Sequence, residues 1–85
     1  MKLNNYMDIA LLEAKKAALR GEVPVGAVLV DQYSQVIAKD GNRTIELNDP
    51  TAHAEILVIR KACLLAKNQR LYKCSLYVTL EPCPM

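Results

Sequence analysis

Val25–Val30, "VGAVLV", is a short run with no polar residue in it. A strand with one wet face alternates apolar and polar residues, whereas a strand covered on both faces reads as a continuous apolar run. This stretch is therefore expected to be a buried strand of a layered α/β fold, with helices supplying the cover. The elements on either side agree. "DQYS", 31–34, turns the chain, and "QVIAK", 35–39, returns as a hairpin partner. "DGNR", 40–43, reads as a further turn, and a long loop then runs to Pro50. Long loops in compact domains are often functional.

Upstream, residues 6–20 form an amphipathic pattern in which Met7, Ala10, Leu11, Ala14, Ala17 and Ala18 recur at helical spacing. Asn4 or Asn5 can cap its start, and Gly21 suits the left-handed position past its end. The many alanines predict close packing on a flat surface such as a sheet. Downstream, residues 52–67 read as a second helix, with Asp49 or Thr51 as caps and Pro50 in the first turn. Its expected buried stripe is Ile56, Ile59, Cys63 and Ala66, widened by Leu57, Leu64 and Leu65. "SLYVTL", 75–80, reads as a third strand that Pro82 and Pro84 end, and these could open a third helix. The order is helix, strand, strand, helix, strand, with the second helix carrying a crossover between parallel strands. The last strand is expected at an edge, where an uncovered "LYVTL" would be a liability.

Eighty-five residues allow one small domain. A formal net charge of +2 neither argues for a nucleic-acid partner nor opposes one. Cys63, Cys74 and Cys83 are odd in number and make no secreted-type disulfide framework. Asp8 and Glu13 interrupt the only segment that could serve as a signal, and no run approaches the roughly 18 apolar residues of a membrane span. The default expectation from these features is a reducing cytoplasm.

Chemistry concentrates in two short stretches. His53, the only histidine, stands in "TAHAEI" with Glu55 two residues on, and Cys83 stands in "LEPCPM". Residues two apart on a helix differ by roughly 200° around its axis, so His53 and Glu55 cannot share a helix flank. At the helix tip they can converge, because first-turn side chains lean toward the N-terminus, where the helix dipole favours negative charge. A cysteine that opens a helix has its thiolate stabilised and becomes a good metal ligand or nucleophile. Cys63 lies ten residues along the second helix, about 15 Å from His53 by helix rise, and reads as core. Cys74 lies at the far end of its strand from Cys83. His-x-Glu followed by Pro-Cys-x-x-Cys is the signature of zinc nucleobase deaminases. In such a site one His and two Cys hold the ion, which activates a water near neutral pH, and the Glu moves protons.

In "EVPVGAVLV", the Asn of "GNR", "NDPTAHAEI" and "LYVTLEPCPM" the chain resembles the cytidine/deoxycytidylate deaminase superfamily, and within it the bacterial tRNA-specific adenosine deaminases. The resemblance implies a three-layer α/β/α sandwich, normally a homodimer, acting on the wobble adenosine of a tRNA anticodon stem-loop to give inosine. It further implies Zn2+ as cofactor with His53 and Cys83 as ligands and Glu55 as the proton shuttle. Asn42 and Ala54 would contact the flipped-out nucleoside; otherwise Asn42 is a simple turn residue. Guanine and cytosine deaminases share the two site motifs, but the guanine enzymes typically read Pro-Phe-Gly-Ala where this chain has "PVGA", 24–27.

The resemblance also puts a second zinc-ligating cysteine one position after Met85. Residues 1–85 are accordingly expected to be one incomplete deaminase domain, inactive or nearly so by themselves. Two further readings stand beside the enzyme: a non-catalytic fragment that acts as a small α/β domain or interaction partner, and, more weakly, a thiol-redox role for Cys83.

Overall fold

The computed structural model describes residues 6–66 and 73–79. The expected caps Asn4 and Asn5, the last residue of each of the second helix and third strand (67 and 80), Cys83 and the two prolines beside it lie outside them. Helix α1 (Tyr6–Leu19) leads through Gly21 into strand β1 (Gly26–Val30), and strand β2 (Val36–Gly41) follows. Helix α2 (Ala54–Ala66) and strand β3 (Ser75–Val78) complete the order. The sheet order is β2-β1-β3, and β1 runs antiparallel to both neighbours. β2 and β3 are therefore parallel to each other, and α2 carries the crossover between them past β1. Among the described residues β3 lies at an edge, as expected, and no helix is long and apolar enough to cross a membrane.

Alternate residues of β1 serve opposite layers. Val28 and Val30 pack with Ala10 of α1, joined by Tyr6, Met7 and Tyr77. Ala27 and Leu29 pack with Ala38 and with Ala54, Val58 and Ala62 of α2. Every residue of β1 is buried, which is the physical meaning of its unbroken apolar run.

The alanines of α1 meet the sheet at a pair of glycines. Gly26 and Gly41 are cross-strand partners in the β1–β2 register. A Cβ on Gly26 would collide with the Ala10 carbonyl and lie 2.6 Å from the Ala14 nitrogen. A Cβ on Gly41 would lie 2.6 Å from the Glu13 carbonyl and 3.0 Å from the Ala17 Cβ. The helix backbone thus rests directly on strand backbone. The buried face is Ala10, Glu13, Ala14 and Ala17, whereas the expected members Leu11 and Ala18 are exposed. Glu13 is drawn inward because its own backbone sits over the glycine pair, and its carboxylate meets Lys16 at 3.3 Å.

Three other expectations need correction. β2 runs on through Asp40 and Gly41, read from sequence as a turn, because Gly41 must stand opposite Gly26. α2 begins at Ala54, not residue 52. Its buried stripe is Ala54, Val58 and Ala62, while Ile59, Leu64 and Leu65 are exposed. Small residues face the sheet on α2 as they do on α1.

Two buried carboxylates shape the loop from Asn42 to His53. Glu22 accepts from the backbone N–H of Glu46 at 2.8 Å and of Ile45 at 3.1 Å, and from the Thr44 hydroxyl at 3.3 Å. Asp40 accepts from the Gly41 N–H at 2.8 Å and from Arg43 Nε at 2.9 Å, and pairs with Lys61 Nζ at 2.9 Å. Arg43 also reaches Glu46 at 2.6 Å, and its backbone N–H donates to the Ala52 carbonyl. Burial opposes ionisation of Glu22, but the Glu46 and Ile45 N–H groups, Thr44 and Arg20 outweigh it and lower its pKa. Burial likewise opposes ionisation of Asp40, and Lys61, the Gly41 N–H and Arg43 outweigh it in the same direction.

Two outcomes follow for stability. Gly26→Ala should destabilise by about 2 kcal/mol, the order of an overpacked core, because helix backbone cannot swing aside. Gly21→Ala, at φ +85° with open space around it, should cost only about 1 kcal/mol. Urea titration followed by circular dichroism checks the ranking. Lowered carboxylate pKa values stabilise the fold fully above the ordinary values of 4.5 for Glu22 and 3.8 for Asp40. That contribution is lost as pH falls through the lowered folded values. The loss of stability on acidification below pH 4.5 should therefore be shallower in Glu22→Gln than in the parent chain, measured by urea midpoints across pH.

Candidate metal and proton-transfer site

The carboxyl ends of β2 and β3 lie at one edge of the sheet, beside the start of β1. In open α/β sheets this is where ligands collect. Backbone bonds place the neighbouring chain there. The Asn42 N–H donates to the Val25 carbonyl at 3.0 Å, and Thr79 bonds Gly26 twice, through its N–H at 3.0 Å and its Oγ1 at 3.1 Å.

α2 starts at this edge. Its cap residue is His53 itself, whose carbonyl accepts the Leu57 N–H at 3.0 Å. The expected cap Asp49 instead closes a turn one step earlier, accepting from the Thr51 N–H at 2.9 Å and hydroxyl at 2.7 Å. Those two bonds, hydroxyl foremost, lower the Asp49 pKa, with Arg60 adding to them. Thr51 takes the His53 N–H on its carbonyl at 2.8 Å, and Pro50 lies in the loop before the helix.

The side chain that serves the helix end comes from elsewhere. Asn42 is wholly buried, and its Oδ1 accepts the Ala54 N–H at 2.8 Å. Asn42 and Ala54 are thus brought together, with the Asn42 carbonyl held in turn by Arg20 at 3.0 Å. His53 and Glu55 flank Ala54. Both carry a buried polar atom, His53 Nε2 and Glu55 Oε1, that has no hydrogen-bond partner among the described residues. Buried polar groups are nearly always paired, and leaving one unpaired costs about 1–3 kcal/mol. Two of them on one helix tip are what a ligand-binding site looks like before its ligand is counted. An imidazole nitrogen suits a metal and a carboxylate oxygen suits a proton in transit, so these residues fit the zinc and proton-shuttle chemistry expected of them.

Cys83 lies outside the described residues. Thr79, four positions before it, is fixed at the same sheet edge as α2. Four extended residues span at most about 14 Å. Among the described residues no three His, Cys, Asp or Glu side chains gather as a metal site. Cys74 packs against the α2-side core, and Cys63 is half-buried on α2. Sequence reading missed Glu22, Asp40 and Arg43, which hold the loop carrying Asn42 and His53. Their partners lie across the fold, and no local motif marks them.

Comparison with known proteins gives the family. The family model for the cytidine and deoxycytidylate deaminase zinc-binding region matches residues 1–85. A tRNA-specific adenosine deaminase of Agrobacterium fabrum is 59% identical over 81 residues, covering 95% of this chain and 53% of the relative. A solved structure from studies of A-to-I editing by tRNA:A34 deaminases at the wobble position superposes with TM-score 0.86 at 60% identity, covering 92% of this chain and 59% of that one. Guanine deaminase from Bacillus subtilis also superposes at TM-score 0.86, with 39% identity over 99% of this chain and 54% of its own. The chain spans about half the length of the curated relatives it matches. Its sequence, its three-layer architecture and its matched zinc-binding region place it in the cytidine and deoxycytidylate deaminase family.

Proposed function

We propose that this chain carries the metal and proton-transfer half of a deaminase that converts adenosine to inosine at the wobble position of tRNA. The observation that carries the reading is the pair of buried atoms, His53 Nε2 and Glu55 Oε1 at the tip of α2, that have no hydrogen-bond partner among the described residues. His53, through its imidazole, and Cys83 would hold Zn2+. When bound, the ion would supply a water made reactive at neutral pH.

Glu55 is the proton carrier. Its carboxylate takes a proton from the attacking water and delivers it to the purine ring nitrogen, then carries the remaining proton of the new hydroxyl to the amine, which leaves as ammonia as the carbonyl forms. Adenosine and water thus give inosine and ammonia. Asn42 and Ala54 would border the flipped-out nucleoside, with the Asn42–Ala54 bond setting the floor beside it. The start of α2 turns its positive end toward this space, which favours the negative charge carried by the attacking oxygen.

The substrate is a tRNA anticodon stem-loop in the cytoplasm. The exposed Ile59, Leu64 and Leu65 on the outer face of α2 support a second copy of the protein as partner. The likeness to a guanine deaminase supports a second reading, in which the substrate is a free nucleobase.

The decisive assay joins this chain to the second half of the Agrobacterium relative and supplies Zn2+ with an anticodon stem-loop, free guanine or free cytosine. Inosine from the stem-loop, and no product from the free bases, is expected. Release of xanthine or uracil instead would establish the second reading. Glu55→Gln should lower kcat by a factor of roughly 100 or more, the usual worth of a positioned acid–base group. His53→Ala should lose bound zinc.

A further inference from the structure

Asp40 stands outside the site and has no part in the chemistry, yet its contacts converge on it. We propose that Asp40 is a positioning residue, a buried clasp that fixes the start of α2 and the Asn42 side chain relative to each other.

Asp40 is 2% exposed and sits at the end of β2, two residues before Asn42. One arm of the clasp is Lys61, two turns along α2, at 2.9 Å. The other arm is Arg43, bound through Nε at 2.9 and 3.1 Å. Arg43 uses its backbone N–H to hold the Ala52 carbonyl at 3.0 Å, immediately before His53. One carboxylate therefore ties the sheet edge both to the body of α2 and to the chain entering it. Asn42 lies between the two tethers, and its bond to the Ala54 N–H requires that strand end and helix tip keep their spacing.

The arrangement suits positioning as well as stability. Lys61 and Arg43 are partly exposed, with side chains at 50% and 28%, so water can take them if the carboxylate is removed. Asp40 itself has no such option. Exposed ion pairs contribute little, whereas hydrogen bonds to a buried charge contribute more and hold geometry. Removing the charge should then loosen the joint without leaving a buried cation.

Amide hydrogen exchange by NMR on the 85-residue chain reads this directly. In Asp40→Asn, exchange at Ala54 and Arg43 should accelerate by roughly tenfold more than at Val28 and Leu29 of β1, the order of one charge-assisted hydrogen bond. Equal acceleration at all four, or none, would overturn the proposal. Lys61→Met, at a half-exposed position, should accelerate Ala54 in the same direction with less effect on Arg43. No change at Ala54 in that variant would also overturn it. Zn2+ affinity, measured by competition with a chelator, should weaken in Asp40→Asn. This last arm rests on the deaminase reading: a parent chain joined to the Agrobacterium half that binds no Zn2+ would count against that reading, while the exchange data would still decide the role of Asp40.

Discussion

Two glycines facing each other across β1 and β2 set the geometry on which the rest depends. Without a Cβ at Gly26 or Gly41, the backbone of α1 comes down onto the sheet itself. An inner face built of alanines follows from that approach, because larger side chains would hold the helix off. The same two residues also face outward along the sheet. Gly26 bonds Thr79 at the end of β3, and Gly41 immediately precedes Asn42. Close packing on one face thereby fixes where two strand ends lie on the edge that carries the site.

What holds the site is mostly backbone gripped by side chains. The Lys16–Glu13 and Arg20–Glu46 pairs involve side chains that are 51% and 44% exposed on one partner, and exposed pairs of this kind contribute about 0–1 kcal/mol. Glu22 and Asp40 differ because each satisfies backbone N–H groups in a buried setting, where hydrogen bonds to a charge contribute about 1.5–3 kcal/mol. These carboxylates, more than the surface pairs, define the loop between β2 and α2. The helix tip follows the same logic, with the Ala54 N–H met by an amide from a different element.

Much of this was legible in the residues. An unbroken apolar β1, alanine-rich α1 and the order of elements specify a layered α/β fold, and "TAHAE" marks the helix tip by type and spacing. The register of α2 was not legible. Its apolar residues run nearly all the way round, so periodicity favoured the large Ile59 and Cys63, whereas packing on a sheet favoured Ala54, Val58 and Ala62. Asp40 and Gly41 carry a turn signature, but Gly41 is needed opposite Gly26, a requirement visible only across strands. Asn42 reads locally as a turn residue, yet it is wholly buried and caps a helix that begins twelve positions later. Long-range partners of this kind leave no trace in a local window.

The Gly26–Thr79 bonds have a meaning for the order in which the protein assembles. They join residues 53 apart, whereas Asn42 and Ala54 are only 12 apart. Closing the longer loop costs about 1.3 kcal/mol more in chain entropy, and long-range contacts of this type form late. The Asn42–Ala54 contact at the tip of α2 is thus an early, short-range event. The end of β3 at Thr79 is delivered by a late one, as the last strand docks.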